Sequence, residues 1–303
     1  MSDKRLISER FGPLTNLRIV TTGVLIAAPF ATELAAEMGA EVILIERPGT
    51  GDEWRILGLR LPTKDDAQIS TNWVQERRNI FCVTLDLTKP QGREIFLKLI
   101  DLADVWLENS KGETYQKLGI DDEELLRRNP RLVITHVSGY GQTGLPGYIR
   151  RASYDPVCQA FGGSMHQTGF PDSPPSLAQP FTADYLTALF ALWSSLAGVL
   201  SARETGRGQV IDLAQYEAVH RVLGGTMVEY FQQNVIRERH GNRGLAIQPL
   251  GSYEASDGWV VIAAATPAGL PRLLKVMGLN PDDPKWLFAS KNVESRRQDG
   301  RGQ

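Results

Sequence analysis

Cysteine is scarce in this chain: its 303 residues hold only Cys82 and Cys158. They lie far apart, each among apolar neighbours. A disulfide framework is therefore excluded, and buried free thiols in a reducing cytoplasm are expected. The four histidines, His136, His166, His220 and His240, have no metal-ligand spacing, so no metal is expected. Charge of one sign is lacking too. A balance of 33 basic against 35 acidic residues leaves −2, which gives no electrostatic case for nucleic acid or a membrane surface. The longest apolar run, 185–199, is short for a bilayer span and is interrupted by Thr, Ser and Gly. The first five residues lead into no long apolar stretch, so no signal peptide is visible. What is present is ordinary for a soluble globular protein, 42% apolar and 22% charged, with length enough for one large or two smaller domains.

Periodicity organises the first half. Residues 16–22 read as a buried strand, 29–38 as a helix with Pro29 at its start, and 41–46 as a second strand, a βαβ unit with parallel strands. Further strands are expected at 83–87, 105–107 and 131–137, with helices at 91–102 and 121–129. The fold class is therefore α/β, a doubly wound, mostly parallel sheet in a Rossmann-like large domain. Residues 139–180 are dense in Gly, Pro and Ser and read as a long loop. A helix from Asp184 to 204, a strand at 210–213 and a helix at 215–233 follow, and Asp257-Gly258 marks a hairpin. We expect a large domain over 1–215, a smaller α+β domain over 216–279, and an atypical, poorly ordered tail over 280–303.

Three features bear on chemistry. The first βα turn, 21–29, invites a nicotinamide reading but carries one glycine, Gly23, where a dinucleotide turn needs three. Basic side chains follow the strand ends at Arg47, Lys111 and Lys117, where charge-assisted hydrogen bonds could hold phosphates. Asp184 heads the long apolar helix with no His or Lys within 15 residues. An Asp there reads locally as a helix cap, but an ionised carboxylate is also a nucleophile that needs no partner base.

Several ordered segments resemble the class III CoA transferases of the CaiB/BaiF family: 11–18 (FGPLTNLR), 39–49 (GAEVILIERPG), 85–87 (LDL), 110–112 (SKG), 138–141 (SGYG), 182–185 (TADY), 204–209 (ETGRGQ) and 257–258 (DG), spanning roughly 11–279. Residues 77–79 (RRN) and 115–120 resemble the carnitine CoA-transferase branch more than the formyl-CoA branch. The resemblance implies that Asp184 is the nucleophile, forming an aspartyl anhydride and then an aspartyl-CoA thioester. It also implies that Lys111 and Lys117 bind CoA phosphates and that Arg47 lies near the adenosine. The implied substrates are an acyl-CoA and a small carboxylic acid of the carnitine, crotonobetaine or γ-butyrobetaine type. CoA is a substrate here, with no tightly bound cofactor, and the expected assembly is an interlocked homodimer. The helix start at Asp184 and the glycine-containing loop 246–251 are the expected oxyanion donors. A quaternary ammonium would seek an aromatic face, for which Trp73, Tyr154, Tyr185, Tyr230, Phe231 and Tyr253 are available.

This chain departs from the family pattern at Ile26, where the formyl branch has glutamine, and in its length, which implies a truncated C-terminal part. Two alternatives follow: a CoA-binding fragment without turnover, or an acyl-CoA racemase of the same fold. The racemase histidine would fall near 151–155, where Ser153 stands, and serine is a poor general base near neutral pH.

Overall fold

The computed structural model describes residues 6–7, 11–64, 67–244, 249–264, 266 and 268–284. Strands β1 (Arg18–Thr21) and β2 (Glu41–Glu46) are buried along their whole length, as parallel strands covered on both faces must be. Helix α1 (Ala27–Glu37) links them, and they pair in parallel from Arg18↔Glu41 to Thr21↔Leu44. A short hairpin, β3 (Arg60–Pro62) with β4 (Gln68–Ser70), and helix α2 (Thr71–Glu76) lead to β5 (Ile80–Thr84), which adds to β2. Helix α3 (Pro90–Ile100), β6 (Val105–Glu108), α4 (Asp122–Arg128) and β7 (Val133–Ser138) then build outward from the other side of β1. After α5 (Pro146–Ile149), α6 (Asp155–Phe161), α7 (Ser164–Gln167) and the long α8 (Thr182–Thr205), strand β8 (Gln209–Ala214) completes the sheet beside β7. The remaining elements are α9 (Gln215–Arg221), α10 (Thr226–Gln233), the antiparallel pair β9 (Leu250–Ala255) and β10 (Gly258–Ala263), and α11 (Gly269–Val276).

The six-stranded sheet runs β5-β2-β1-β6-β7-β8, parallel throughout. Strands are added in one direction from β1 to β5 and in the other from β6 onward. The order therefore reverses between β1 and β6, and the loops after those two strands part to leave a crevice. One face of the sheet is covered by α1 and α8, whose facing residues are small: Ala28, Ala31 and Ala35 against Ala188 and Ala191, all fully buried. The other face buries large side chains, Phe96, Trp106, Leu125 and Ile134 among them. Each contributes on the order of 2 kcal/mol by leaving water.

The doubly wound sheet stands as expected, with shifts at particular elements. Strand β5 ends at Thr84, three residues before the expected 87, because the chain turns at Asp86, whose carbonyl lies 2.0 Å from where a Cβ on Gly92 would be. The helix expected over 215–233 is two helices, broken at Gly224, which adopts φ +65°. Helix α8 is longer than the apolar run suggested: by length and composition its 24 residues could cross a membrane. Here Thr187, Ala188, Ala191, Ser195, Gly198 and Val199 are buried.

Two compact units are present: Met1–Gly163 with Ala178–Gly224, and Ser164–Leu177 with Gly225–Gln303. The expected boundary at 215 thus moves to 224, since α9 follows directly from β8 and its Ala218 and Val219 are buried. The second unit also takes the 164–177 segment. Gly241 N donates to Gly169 O at 2.8 Å and the Arg239 guanidinium to His166 O at 2.9 Å. The expected tail, 280–303, falls mostly on 285–303, outside the described residues.

Candidate functional site

The crevice between β1 and β6 is shaped by the two loops that leave those strands. Asn109, just past β6, uses its amide twice: it accepts from Val24 N and donates to Val24 O, both at 2.8 Å. Gly23 allows this closeness, because a Cβ there would lie 2.5 Å from that of Ala28. Leu25 is held at φ +60°, its N–H donating to Asp52 at 3.0 Å and its carbonyl accepting from Arg77. Arg77 and Asp52 are themselves a buried ion pair at 2.7 Å. A charge pair withdrawn from water thus fixes a backbone conformation that leucine rarely adopts.

Beside these loops lies a cavity of about 380 Å³ whose wall includes Arg47, Lys111, Ser153, Tyr154, Asp184 and Gln215. A second cavity, of about 720 Å³, shares Val24, Arg47, Thr50 and Gly51 with it and extends to 85–88 and Ser110. Both volumes suit a small-molecule site. The start of α1 also opens here. It has no side-chain cap, and Ala27 lines the smaller cavity, so the helix dipole favours an anion at that end.

Asp184 does not cap its own helix. The cap comes from Asp155, at the start of α6, whose Oδ2 accepts from Ala183 N at 2.6 Å and from Asp184 N at 3.2 Å. Asp155 is nearly inaccessible, and its other oxygen accepts from Gln159 at 2.6 Å. Asp184 is thereby released to point its carboxyl at the cavity, where Oδ1 accepts from the amide of Gln215. Burial raises the Asp184 carboxyl to about 7, the Asp155 carboxylate adds to the rise, and the Gln215 hydrogen bond opposes it. The expectation of a freely ionised carboxylate is corrected to one that holds its proton well above the usual aspartate range. The expectation that the helix start supplies oxyanion donors is corrected in part, since Ala183 N and Asp184 N both donate to Asp155. Of the other expected donor, the loop 246–251, residues 246–248 lie outside the described residues.

Of the predicted site residues, Asp184, Lys111 and Arg47 line one cavity. Lys117 does not: it is 65% exposed and pairs with Glu113 at 3.2 Å. Among the aromatic candidates in this unit, Tyr154 lines the cavity. Trp73 is buried with guanidinium groups over its ring, Arg55 at 3.7 Å and Arg77 at 5.3 Å, so its face is occupied. Tyr185 donates its hydroxyl to Glu76, while Tyr230, Phe231 and Tyr253 belong to the second unit. Ile26, where glutamine was the alternative, is buried. Ser153 lies in the cavity wall 2.9 Å from the Cys158 thiol, and no histidine stands among the described lining residues. His136 sits elsewhere, buried between Glu108 Oε1 at 2.7 Å and Asp122 Oδ2 at 3.0 Å. Burial opposes its charge, but the two carboxylates outweigh burial and lift the imidazole to about 9. Asp155 and Gln215 are the site residues that sequence reasoning missed.

The model of CoA-transferase family III matches residues 14–300. The chain belongs to CoA-transferase family III. The family match extends past residue 279, where the segments recognised in the sequence end. Bile acid CoA-transferase BaiK of Clostridium scindens is 39% identical over 249 residues, covering 82% of this chain and 54% of that protein. The chain therefore spans about half the length of that curated relative. A CAIB/BAIF family protein from Brucella suis has the same fold, with a TM-score of 0.81 and 29% identity over 95% of this chain and 76% of its own. Rv3272 from M. tuberculosis is similar, with a TM-score of 0.81 and 25% identity over 97% of this chain and 76% of its own.

Proposed function

We propose that this family III chain moves CoA between an acyl-CoA and a free carboxylic acid, with Asp184 as the nucleophile. The observation that carries the reading is the place of Asp184: in the wall of a cavity that also holds Arg47 and Lys111, at the reversal point of the sheet. Asp184 Oδ2 attacks the thioester carbonyl, the carbon–sulfur bond breaks, and CoA leaves as thiolate from a mixed anhydride. The thiolate then attacks Cγ of Asp184, the bond from Cγ to the bridging oxygen breaks, and the first acid departs as its carboxylate. An acceptor carboxylate reverses both steps. Each exchange becomes an acyl transfer that needs no external oxidant or reductant.

Arg47 and Lys111 suit the CoA phosphates, and the larger cavity beside Arg47 suits the adenosine. For the acid we propose a betaine such as carnitine, with Tyr154 as the aromatic face for its ammonium. The 39% identity to BaiK supports a second reading, in which the acid is a bile acid. On the family resemblance the working form is a cytoplasmic homodimer, and light scattering on the purified chain tests the assembly.

The deciding experiment supplies γ-butyrobetainyl-CoA with carnitine, and cholyl-CoA with a second bile acid, and follows the product thioesters by chromatography. Product from the first pair supports the betaine reading, and product from the second supports the bile acid. Transfer that survives Asp184→Asn would sink the mechanism in either case.

A further inference from the structure

The aspartyl steps of this reaction place negative charge on one particular atom. When CoA thiolate attacks Cγ, the non-bridging oxygen of Asp184 becomes the oxyanion, and catalysis requires a donor already aimed at it. The backbone around Asp184 offers little. Ala183 N and Asp184 N are spent on Asp155, Tyr185 N donates to Phe181 O, and in the facing loop Val24 N and Leu25 N go to Asn109 and Asp52. One side chain does aim a donor at the carboxyl. Gln215, the first residue of α9, is 5% exposed, lines the same cavity, and gives its Nε2–H to Asp184 Oδ1. The attacking form of Asp184 is the ionised carboxylate, which only accepts, so toward it the amide must present its nitrogen.

We infer that Gln215 is a catalytic oxyanion donor for the aspartyl half of the transfer: it holds Asp184 Oδ1 as the spectator oxygen, leaves Oδ2 to attack, and stabilises Oδ1 when thiolate or acceptor carboxylate adds to Cγ. The inference rests on the proposed role of Asp184. It is specific to steps at Cγ, because the oxyanion of the first attack lies on the substrate's own carbonyl oxygen. Gln215 forms its bond to Oδ1 before reaction begins, so no reorganisation is needed as charge develops. Burial of the amide strengthens that bond. The position of Gln215 follows from the fold: β8 ends at Ala214, and the chain turns into α9 with its first side chain facing the start of α8.

The test is rapid-quench mass spectrometry of the Asp184 peptide after mixing the full chain with γ-butyrobetainyl-CoA or cholyl-CoA. For Gln215→Met, formation of the aspartyl-CoA thioester is expected to slow by about 10²–10³-fold, the usual effect of removing one such donor, while acyl-CoA affinity changes by less than about threefold. Gln215→Glu keeps the size of the side chain and regains a donor only when its carboxyl is protonated. Its thioester-forming rate is therefore expected to rise as pH falls, through a range where the wild type declines, which a merely structural role would not produce. It also decides the matter if the methionine variant does not fold. Unchanged thioester formation in Gln215→Met, or parallel pH profiles for Gln215→Glu and wild type, overturns the inference and leaves the role of Asp184 standing. Absence of any thioester in the wild type with both probes, or its persistence in Asp184→Asn, overturns the role of Asp184 and this inference with it.

Discussion

Asp184 and Glu108 are both carboxylates withdrawn from water, and they differ in what stands opposite. Glu108 faces His136, whose other nitrogen meets Asp122, so two acids share an imidazolium. Asp184 faces a neutral amide and has another acid, Asp155, behind it. In the first arrangement burial still raises the Glu108 carboxyl, but the imidazolium opposes it with charge, which suits a structural lock. The second opposes desolvation only with a neutral hydrogen bond, which destabilises the fold and keeps a carboxylate poorly solvated beside a cavity. A weakly solvated anion is the better nucleophile, so the site that strains the fold is the one suited to chemistry.

The strongest way to break this comparison is to remove the charge at Asp184. Asp184→Asn is expected to lower CoA transfer by more than about 10⁴-fold, as loss of a covalent nucleophile does. The same substitution should raise stability at pH 8. The folded carboxyl sits near 7 against an unfolded value near 3.8, so the favourable protonated contribution is complete below about 3.8 and lost as pH rises through about 7. Allowing for the residue's partial exposure, the gain on removing the charge is about 1 kcal/mol, read by urea denaturation. Stability that is lower at pH 8 and unchanged at pH 4 would contradict the raised carboxyl. Wild-type transfer should rise with pH through about 7.

His136→Gln probes the compensated site. At pH 6 it should cost about 3 kcal/mol, because it leaves the buried Glu108 and the partly buried Asp122 without their cation, while activity per folded molecule stays within about threefold. The imidazole's contribution is full below its unfolded value near 6.5 and disappears as pH rises through about 9. The difference between variant and wild type should therefore shrink by pH 9.5. An equal loss at both pH values would show that packing, not charge, holds this cluster.

Asp155 lets the comparison be sharpened with two variants. Asp155→Ala uncaps α8 and should cost about 1–2 kcal/mol, whereas Asp155→Asn keeps an acceptor for Ala183 N and should cost less. Both remove the negative charge behind Asp184, so the acid limb of the pH–rate profile should move below 7 in each. If the limb stays in place, burial alone sets the Asp184 carboxyl.

How much of this was legible in the sequence depends on distance along the chain. The apolar runs at 41–46 and 133–137 announced buried parallel strands because burial on both faces is written into contiguous residues. Asp184, Lys111 and Arg47 were reached through local motifs. Asp155 and Gln215 were not, since they lie 29 and 31 residues from Asp184 and meet it only after α6, α8 and α9 assemble. Locally Asp155 looks like an ordinary first-turn acid before Pro156, and nothing nearby says that it caps a different helix. Trp73 misled in the opposite sense: an aromatic face is legible in sequence, and so is Arg77 four residues on, but Arg55, which lies closest over the ring, is not a neighbour by any helical spacing.

The smallest effect concerns the two lysines that local sequence treats alike. Lys111 lines the cavity with Asp184, whereas Lys117 lies one turn beyond Glu113 and pairs with it in solvent. An exposed pair of this kind is worth about 0.2–1 kcal/mol, so breaking it changes little. Lys111→Ala should raise KM for acyl-CoA about tenfold and make it less sensitive to salt, as expected when a phosphate contact is lost. Lys117→Ala should change KM by less than about threefold. Equal effects from the two would mean that bound CoA runs past the cavity rim to Lys117 and displaces Glu113. In that case Glu113→Gln, which frees the same lysine, should lower KM, and that third variant separates a phosphate contact at Lys117 from a general loss of positive charge.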